Sequence, residues 1–449
     1  MTSPNPRFPF RRLLLAASLL LLAVAGGRAQ GGQALNREEA VAYALAHAPE
    51  LLAAREELGL TELDNQIALS AWFPEVYIAG NAQHYFQRPV SIFPDFNDPE
   101  SGATREVEVG TINSATATVG VRQTIYNPTV AFALRRQSPL LQRARLEIEA
   151  TEIDLRDRVN RAWYGALRTN ERLRLLRADV ERQERALREA RLRFEEGLND
   201  KVDYKRATIT LNQTRLELRN GTIELSSRLA ELKEVMGYPA DEPLDLLYDI
   251  EQLTAEVFNA PLTPSDSSRR VELRQLDIED DLLALEVLFY RQAWLPDVYL
   301  GGSYNINWFS NRLPALFDQR FPNALASVNV SVPLFSGGRR FRQVAQQRVL
   351  REQLAFRQQG IVNRIDREYL TAVNAFEQAR NAYAVTLENL ELAEEIYQVV
   401  DLQYREGITT YLSVIIAEND LAQARQAMVD SLVDAALARV EVQRAAGTL

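Results

Sequence analysis

Between residues 297 and 308 the even positions are Val298, Leu300, Gly302, Tyr304, Ile306 and Trp308. The odd positions are Asp297, Tyr299, Gly301, Ser303, Asn305 and Asn307. A strict period of two sends successive side chains to opposite faces, which predicts a strand with one apolar face. Residues 326–334 follow the same rule, with Ala326, Val328, Val330, Val332 and Leu334 set against Ser327, Asn329, Ser331 and Pro333. Earlier in the chain, Ala115, Ala117, Val119, Val121 and Ile125 alternate with Ser114, Thr116, Thr118, Arg122 and Thr124. The stretch 76–86 alternates less cleanly, because His84 falls on its apolar face as an interfacial or loop-adjacent side chain. Runs of about 9–13 residues reach ~30–43 Å at ~3.3 Å per residue. A tilted membrane-spanning strand needs ~9–11 residues. Two hairpins are too few for a sandwich or a closed barrel, so the four strands are expected to find partners on other copies of the chain.

Elsewhere the apolar period lengthens. From residue 128 to Glu196 the only glycine is Gly165 and the only internal proline is Pro139, where a kink is expected. Within it Leu173, Leu176, Val180, Gln183, Leu187, Ala190 and Phe194 recur at spacings of three and four, a seam for coiled-coil packing. The corresponding stretch 339–405 carries two overlapping stripes: Leu387, Leu390, Tyr397 and Tyr404, and beside them Leu392, Ile396 and Val399. Two stripes allow contact with a neighbour on each side, as a ring of helices requires. Each long helix is predicted to stop at a glycine, Gly197 or Gly407, and to restart almost at once. Asn199 or Asp200 caps the first return helix and Thr409–Thr410 the second, giving helices over 201–236 and 410–446.

The pattern occurs twice. Ala71-Trp72-Phe73-Pro74-Glu75-Val76-Tyr77-Ile78-Ala79-Gly80 returns as Ala293-Trp294-Leu295-Pro296-Asp297-Val298-Tyr299-Leu300-Gly301-Gly302, with six of ten positions identical. Two further echoes follow in the same order: Thr124–Pro128 with Pro333–Gly337, and Leu192–Leu198 with Leu402–Ile408. The chain therefore divides into a first repeat over 30–236 and a second over 269–449. Each holds a helix, a β-hairpin and a long helical hairpin. The proline-rich segment 237–268 is expected to be an irregular connection, and the excess length of the first repeat, at 87–113, a loop.

Composition narrows the function. With no cysteine and only His47 and His84, the chain has no thiolate chemistry and little means of binding a metal or running acid–base catalysis. No catalytic residue, cofactor site or metal site is predicted, and acidic pairs such as Glu195–Glu196 and Asp280–Asp281 are expected on solvated helix faces. A net charge of −10 argues against nucleic acid as a partner. Residues 1–29 place Arg7, Arg11 and Arg12 before an apolar run from Leu13 to Ala25, the order of a secretory signal peptide. No later stretch has the ~20 apolar residues of a membrane-spanning helix, which leaves a closed β-barrel as the route across a bilayer. The competing expectation is a soluble periplasmic coiled-coil adaptor or scaffold.

The ordered set of motifs resembles the TolC-like outer-membrane efflux protein family. It comprises the opening Leu35-Asn36-Arg37-Glu38-Glu39-Ala40 with Pro49-Glu50-Leu51, the twofold Ala-Trp-x-Pro before a strand, the Tyr/Phe-x-x-Gly tips, and the close Gly447-Thr448-Leu449. The resemblance implies a mixed α and β membrane protein. Duplicated helical hairpins would form a periplasmic α-barrel, and four strands per chain would contribute to a trimeric 12-stranded transmembrane β-barrel. It further implies a homotrimer in outer-membrane lipid, working with a periplasmic adaptor protein and an inner-membrane transporter in tripartite efflux or type I secretion. Gly197, Leu198, Gly407 and Ile408 match the tips where an adaptor docks. Asp203 and Tyr404 match gating contacts between hairpins. The constriction positions, acidic in many relatives, are here Ser413 and Ile416, which puts an acidic ring in doubt; Glu418 and Asp420 are not expected to replace it.

Overall fold

A capping box starts the first helix. The Asn36 side chain accepts from the Glu39 N–H at 2.8 Å, and the Glu39 carboxylate accepts from the Asn36 N–H at 2.9 Å. The computed structural model describes residues 33–94, 104–196 and 201–449, so the signal peptide expected at 1–29 lies outside the described residues. The first repeat runs β1 (Gln33–Leu35), α1 (Arg37–His47), α2 (Pro49–Ser70), β2 (Glu75–His84), β3 (Val90–Pro94), β4 (Thr104–Glu108), β5 (Asn113–Tyr126), α3 (Pro128–Glu195) and α4 (Lys201–Met236). β6 (Leu244–Leu246) and α5 (Ile250–Asn259) follow, then α6 (Val271–Arg291), β7 (Asp297–Ser310), β8 (Arg320–Ser331), α7 (Arg339–Arg405) and α8 (Tyr411–Ala445).

The long helices α3, α4, α7 and α8 end close to where the flanking glycines and strand ends place them. α3 continues through Pro139 as a single helix of 68 residues. Four expectations need correction. The segment 87–113 is not simply a loop, because β3 and β4 pair antiparallel within it, Val90 opposite Glu108. The connection 237–268 is not irregular throughout: β6 pairs parallel with β1, and α5 is capped by Asp249, whose carboxylate accepts from the Glu251 N–H at 2.8 Å. The single helix expected before β2 is two, broken where Pro49 forces Ala48 into extended geometry. β8 begins at Arg320 rather than at 326 and ends before Pro333. Phe321 and Leu325 place apolar groups on its polar face, which hides the alternation, and Pro322 is tolerated in a strand at the sheet edge.

Two cores hold the helices. The larger gathers Leu51, Leu155, Val159, Trp163, Leu167, Met236, Val257, Phe376, Leu432 and Val433, joining α2, the middle of α3, the end of α4, α5, the middle of α7 and the end of α8. Each such side chain contributes about 1.5–3 kcal/mol through removal from water. Across this core Arg161 pairs with Asp157 at 2.9 Å and with Glu441 at 2.5 Å, and Arg444 reaches Asp157 at 3.0 Å and Asp154 at 2.6 Å. Arg161–Asp157 lies within α3; the bridges to Glu441 and from Arg444 tie the first repeat to the second. The smaller core, Ala190, Ala207, Tyr404, Tyr411 and Val414, lies towards the helix tips. Along the hairpins the packing order is α4–α3–α8–α7; beside the sheet it is α2–α3–α6–α7. Gly221 lets α4 approach α3 closely, since a Cβ there would come within 2.8 Å of the Leu173 side chain.

Candidate functional site

Strand pairing puts the sheet in the order β2–β5–β7–β8, antiparallel throughout, with the two repeats joined where β5 pairs β7. The outer edges of β2 and β8 have no strand partner among the described residues. Register aligns the alternating faces of all four strands: Ile78 lies opposite Val119, Val119 opposite Tyr304, and Leu300 opposite Val328. On this face Val76, Ile78, Val119, Val121, Tyr304, Val328 and Val330 are all exposed, Ile78 to 82%. An apolar band of that extent is out of place in water and fits the lipid-facing surface of a membrane barrel.

The reverse face is a polar ladder. Thr116 donates to Asn307 at 2.9 Å and Thr118 to Asn305 at 2.7 Å, while Asn305 donates on to Asn323 at 2.8 Å. A Cβ at Gly120 would come within 2.4 Å of the Tyr77 ring, so a larger residue there would displace that exposed side chain. Aromatic side chains mark both ends of the band: Trp308 against Phe317 at one rim, with exposed Phe73, Trp294 and Phe335 at the other. These girdle positions were not singled out from the sequence, although the tryptophans stand at opposite ends of the alternating runs. His84 is held by Asn113, with Nδ1 2.7 Å from Oδ1, and packs edge-on against Phe86.

At the far end of the helices, Gly197, Leu198, Asn199 and Asp200 lie outside the described residues. The second tip is described. Gly407 adopts φ +75°, and the N–H groups of Gly407 and Ile408 donate to the Tyr404 and Gln403 carbonyls at 3.0 and 2.8 Å. This left-handed closure ends α7 and leaves Ile408 projecting into solvent. One turn back, the Tyr404 ring is buried, 5.5 Å from that of Tyr411 and beneath the Arg193 guanidinium. Asp203 is half-buried, and burial together with the charges of Glu418 and Asp203 raises the Tyr411 hydroxyl above its ordinary range.

Ser413 is engaged in the turn: its hydroxyl accepts from Thr409 at 3.0 Å, and its N–H donates to the Thr410 carbonyl at 3.1 Å. Ile416 is exposed on α8, beside exposed Leu412. Glu418 turns away from that face and is buried. Burial pushes its carboxyl up to about 7; Asp179 and Asp401 act in the same direction and Arg182 against it. Among the described residues no group of three His, Asp or Glu could hold a metal ion, and no helix is long and apolar enough to cross a membrane.

The sequence profile of the family described as "Outer membrane efflux protein" matches residues 40–238 and 268–448. The outer membrane protein TolC of Vibrio cholerae is 24% identical over 344 residues, covering 74% of this chain and 76% of that protein. Among solved structures, CusC superposes with a TM-score of 0.67 at 13% identity, covering 91% of both chains. VceC from Vibrio cholerae gives 0.65 at 17% identity over 92% of this chain and 96% of its own. The open state of the MtrE channel of Neisseria gonorrhoeae gives 0.65 at 15%, over 92% and 88%. Those structures share the mixed helix-and-strand fold.

Proposed function

The chain belongs to the outer membrane efflux protein family and is an outer-membrane efflux channel with a large periplasmic helical portion, and from that premise we propose that it works as a homotrimer conducting cargo passively from an inner-membrane pump to the exterior. The carrying observation is that both ends of the chain's transverse order are unfinished in matching ways. β2 and β8 each present a backbone edge with no strand partner among the described residues. The outermost helices α4 and α7 each present an exposed stripe at seven-residue spacing: Val202, Ile209, Leu216 and Ile223 on one, Val385, Leu392 and Val399 on the other. An open edge and an exposed heptad stripe are both unfavourable in a monomer.

Pairing β8 of one copy with β2 of the next, and α7 with the next α4, satisfies all four features by one rotation. Three copies supply twelve strands, with the threonine–asparagine ladder lining a wet lumen and the valine band facing lipid. Such a conduit lowers the barrier of the membrane to polar cargo and needs no chemical step. Energy comes from an inner-membrane transporter of a tripartite efflux or type I secretion system. A periplasmic adaptor docks at the tips around Gly197–Leu198 and Gly407–Ile408. Asp203 and Tyr404 hold the hairpins closed, and adaptor binding shifts the population towards the open arrangement. Ser413 and Ile416 at the constriction support an aperture without an acidic ring.

The test is the mass of the detergent-extracted protein by native mass spectrometry, coupled to conductance in planar bilayers. A trimer with stepwise conductance is expected. A stable monomer that dissolves without detergent sinks the proposal and favours the soluble scaffold.

A further inference from the structure

The helix segments that adjoin the sheet carry charge of one sign. Residues 65–74, 128–146, 287–296 and 335–351 contain ten arginines and not one aspartate or glutamate. In a chain with 61 acidic against 51 basic residues this is a local excess of positive charge on the helix side of the rim, where the strands themselves begin with Glu75 and Asp297. It occurs in both repeats, as α3 and α7 leave their strands. Tyr126 at the end of β5 pairs with Val298 at the start of β7, and Asp297 with Ser331 at the end of β8, so these junctions share one rim.

Only two of the ten arginines find a carboxylate among the described residues: Arg143 with Glu147 at 3.0 Å and Arg351 with Asp280 at 2.6 Å. The six nearest the sheet, Arg135, Arg136, Arg291, Arg339, Arg340 and Arg342, have none. Arg135 donates to Gln292 at 3.1 Å, and Arg136 and Arg340 lie over the rings of Phe132 and Phe341. Four of the six are exposed and two half-buried.

Depth connects this collar to the membrane. β5 and β7 are 14 residues long, or ~46 Å at ~3.3 Å per residue. Tilted by ~40° they rise ~35 Å, slightly more than the ~30 Å hydrocarbon core. The rim with Phe73, Trp294 and Phe335 therefore reaches headgroup level, and Arg135 stands seven residues along α3, ~11 Å below its start. Exposed guanidinium groups with no internal counter-ion, set beneath an aromatic girdle, match phosphate oxygens bidentately.

We infer that this arginine collar binds the headgroups of anionic phospholipids in the periplasmic leaflet, fixing the depth at which the channel sits. The inference rests on the barrel reading above and adds a ligand class to it. Because the six arginines are spread over three helices, with pairs at successive positions, the collar presents charge outward as well as towards the tunnel.

The full-length trimer in nanodiscs of phosphatidylcholine alone, or of phosphatidylcholine with phosphatidylglycerol, provides the test. Native mass spectrometry reads trimer mass and retained lipid separately, so failure to assemble is distinguishable from failure to bind lipid. The wild type is expected to retain phosphatidylglycerol about tenfold over phosphatidylcholine, a preference that weakens with salt. A variant with Arg135, Arg136, Arg339, Arg340 and Arg342 each changed to Gln should remain trimeric and lose that preference. Equal retention of both lipids by the wild type overturns the inference, as does an unchanged preference in the variant. It is also overturned if inorganic phosphate abolishes the preference at constant ionic strength, or if the variant alters only the ion selectivity of the channel.

Discussion

The guanidinium of Arg193 on α3 lies 4.8 Å from the ring centroid of Tyr404 on α7, so a residue of the first repeat covers an aromatic ring of the second one turn from the helix tip. The two helices are not neighbours in the packing order α4–α3–α8–α7; the contact crosses in front of α8 and fastens one hairpin to the other.

Weakening that fastening is expected to open the tip. A cation over an aromatic face contributes about 0.5–2 kcal/mol, whereas truncating a well-packed ring costs about 3–5 kcal/mol. Tyr404→Ala should therefore raise the single-channel conductance more than Arg193→Gln. Asp203→Ala should also loosen closure. Unchanged conductance in both Asp203→Ala and Tyr404→Ala would show that the closed state is held elsewhere.

Glu418 makes the tip region sensitive to pH. Its folded-state carboxyl is pushed up to about 7, from an ordinary 4.5, chiefly because burial disfavours the charge; Arg182 works against this shift, and Asp179 on α3 and Asp401 on α7 add to it. Between those values the folded chain keeps a proton that the unfolded chain has released. Stability contributed by this group is thus full below about pH 4.5 and declines, by on the order of 3 kcal/mol, as pH rises to about 7. Glu418→Gln should raise the thermal midpoint at pH 8 and flatten its dependence between pH 5 and 8. A midpoint–pH curve parallel to wild type would remove Glu418 from the account.

At Gly407 the backbone φ of +75° costs a residue with a Cβ about 1–2 kcal/mol, although no neighbouring atom lies within 4 Å of that Cβ. Conformation rather than space is limiting. Gly407→Asn should be tolerated better than Gly407→Val, and a bulky charged replacement such as Gly407→Arg should abolish adaptor-dependent export from cells while the trimer still assembles. Normal export by Gly407→Arg would exclude this tip as the docking point.

Leu216 is half exposed in the single chain, so a charge there costs little unless a neighbour covers it. Leu216→Glu should leave helix content by circular dichroism unchanged yet shift the detergent-solubilised protein from trimer to monomer. Leu211→Glu, at a buried position of the same helix, should reduce helix content itself. Trimers of normal stability from Leu216→Glu would move the subunit seam away from this stripe.

Much of this architecture is legible in one-dimensional periodicity. A period of two marks four strands, spacings of three and four mark helix over 173–194 and 387–404, and the flanking glycines and strand ends bound α3 and α7. The repeated Ala-Trp-x-Pro announces the duplication. The short elements were not legible. Among the described residues β3 and β4 pair only with each other over five residues each, and α5 is ten residues long, so none of these is long enough for a period to emerge from Pro- and Asp-rich surroundings. At the tip, the family resemblance singled out Tyr404 and Asp203 but not Arg193, which stands among several arginines on the same helix and has nothing local to distinguish it.

Which residues face the same way along an element was determined by sequence alone, because side-chain direction follows from backbone geometry once the element forms. Which elements face each other was decided only in three dimensions. Whether Glu418 points at the aperture or into the packing depends on how α8 is rotated between α3 and α7. That rotation is set by the summed burial of Tyr411, Val414, Ala417 and Leu421 on the same helix. No local pattern around residue 418 contains that sum, and it is the sum that turns the carboxylate inward.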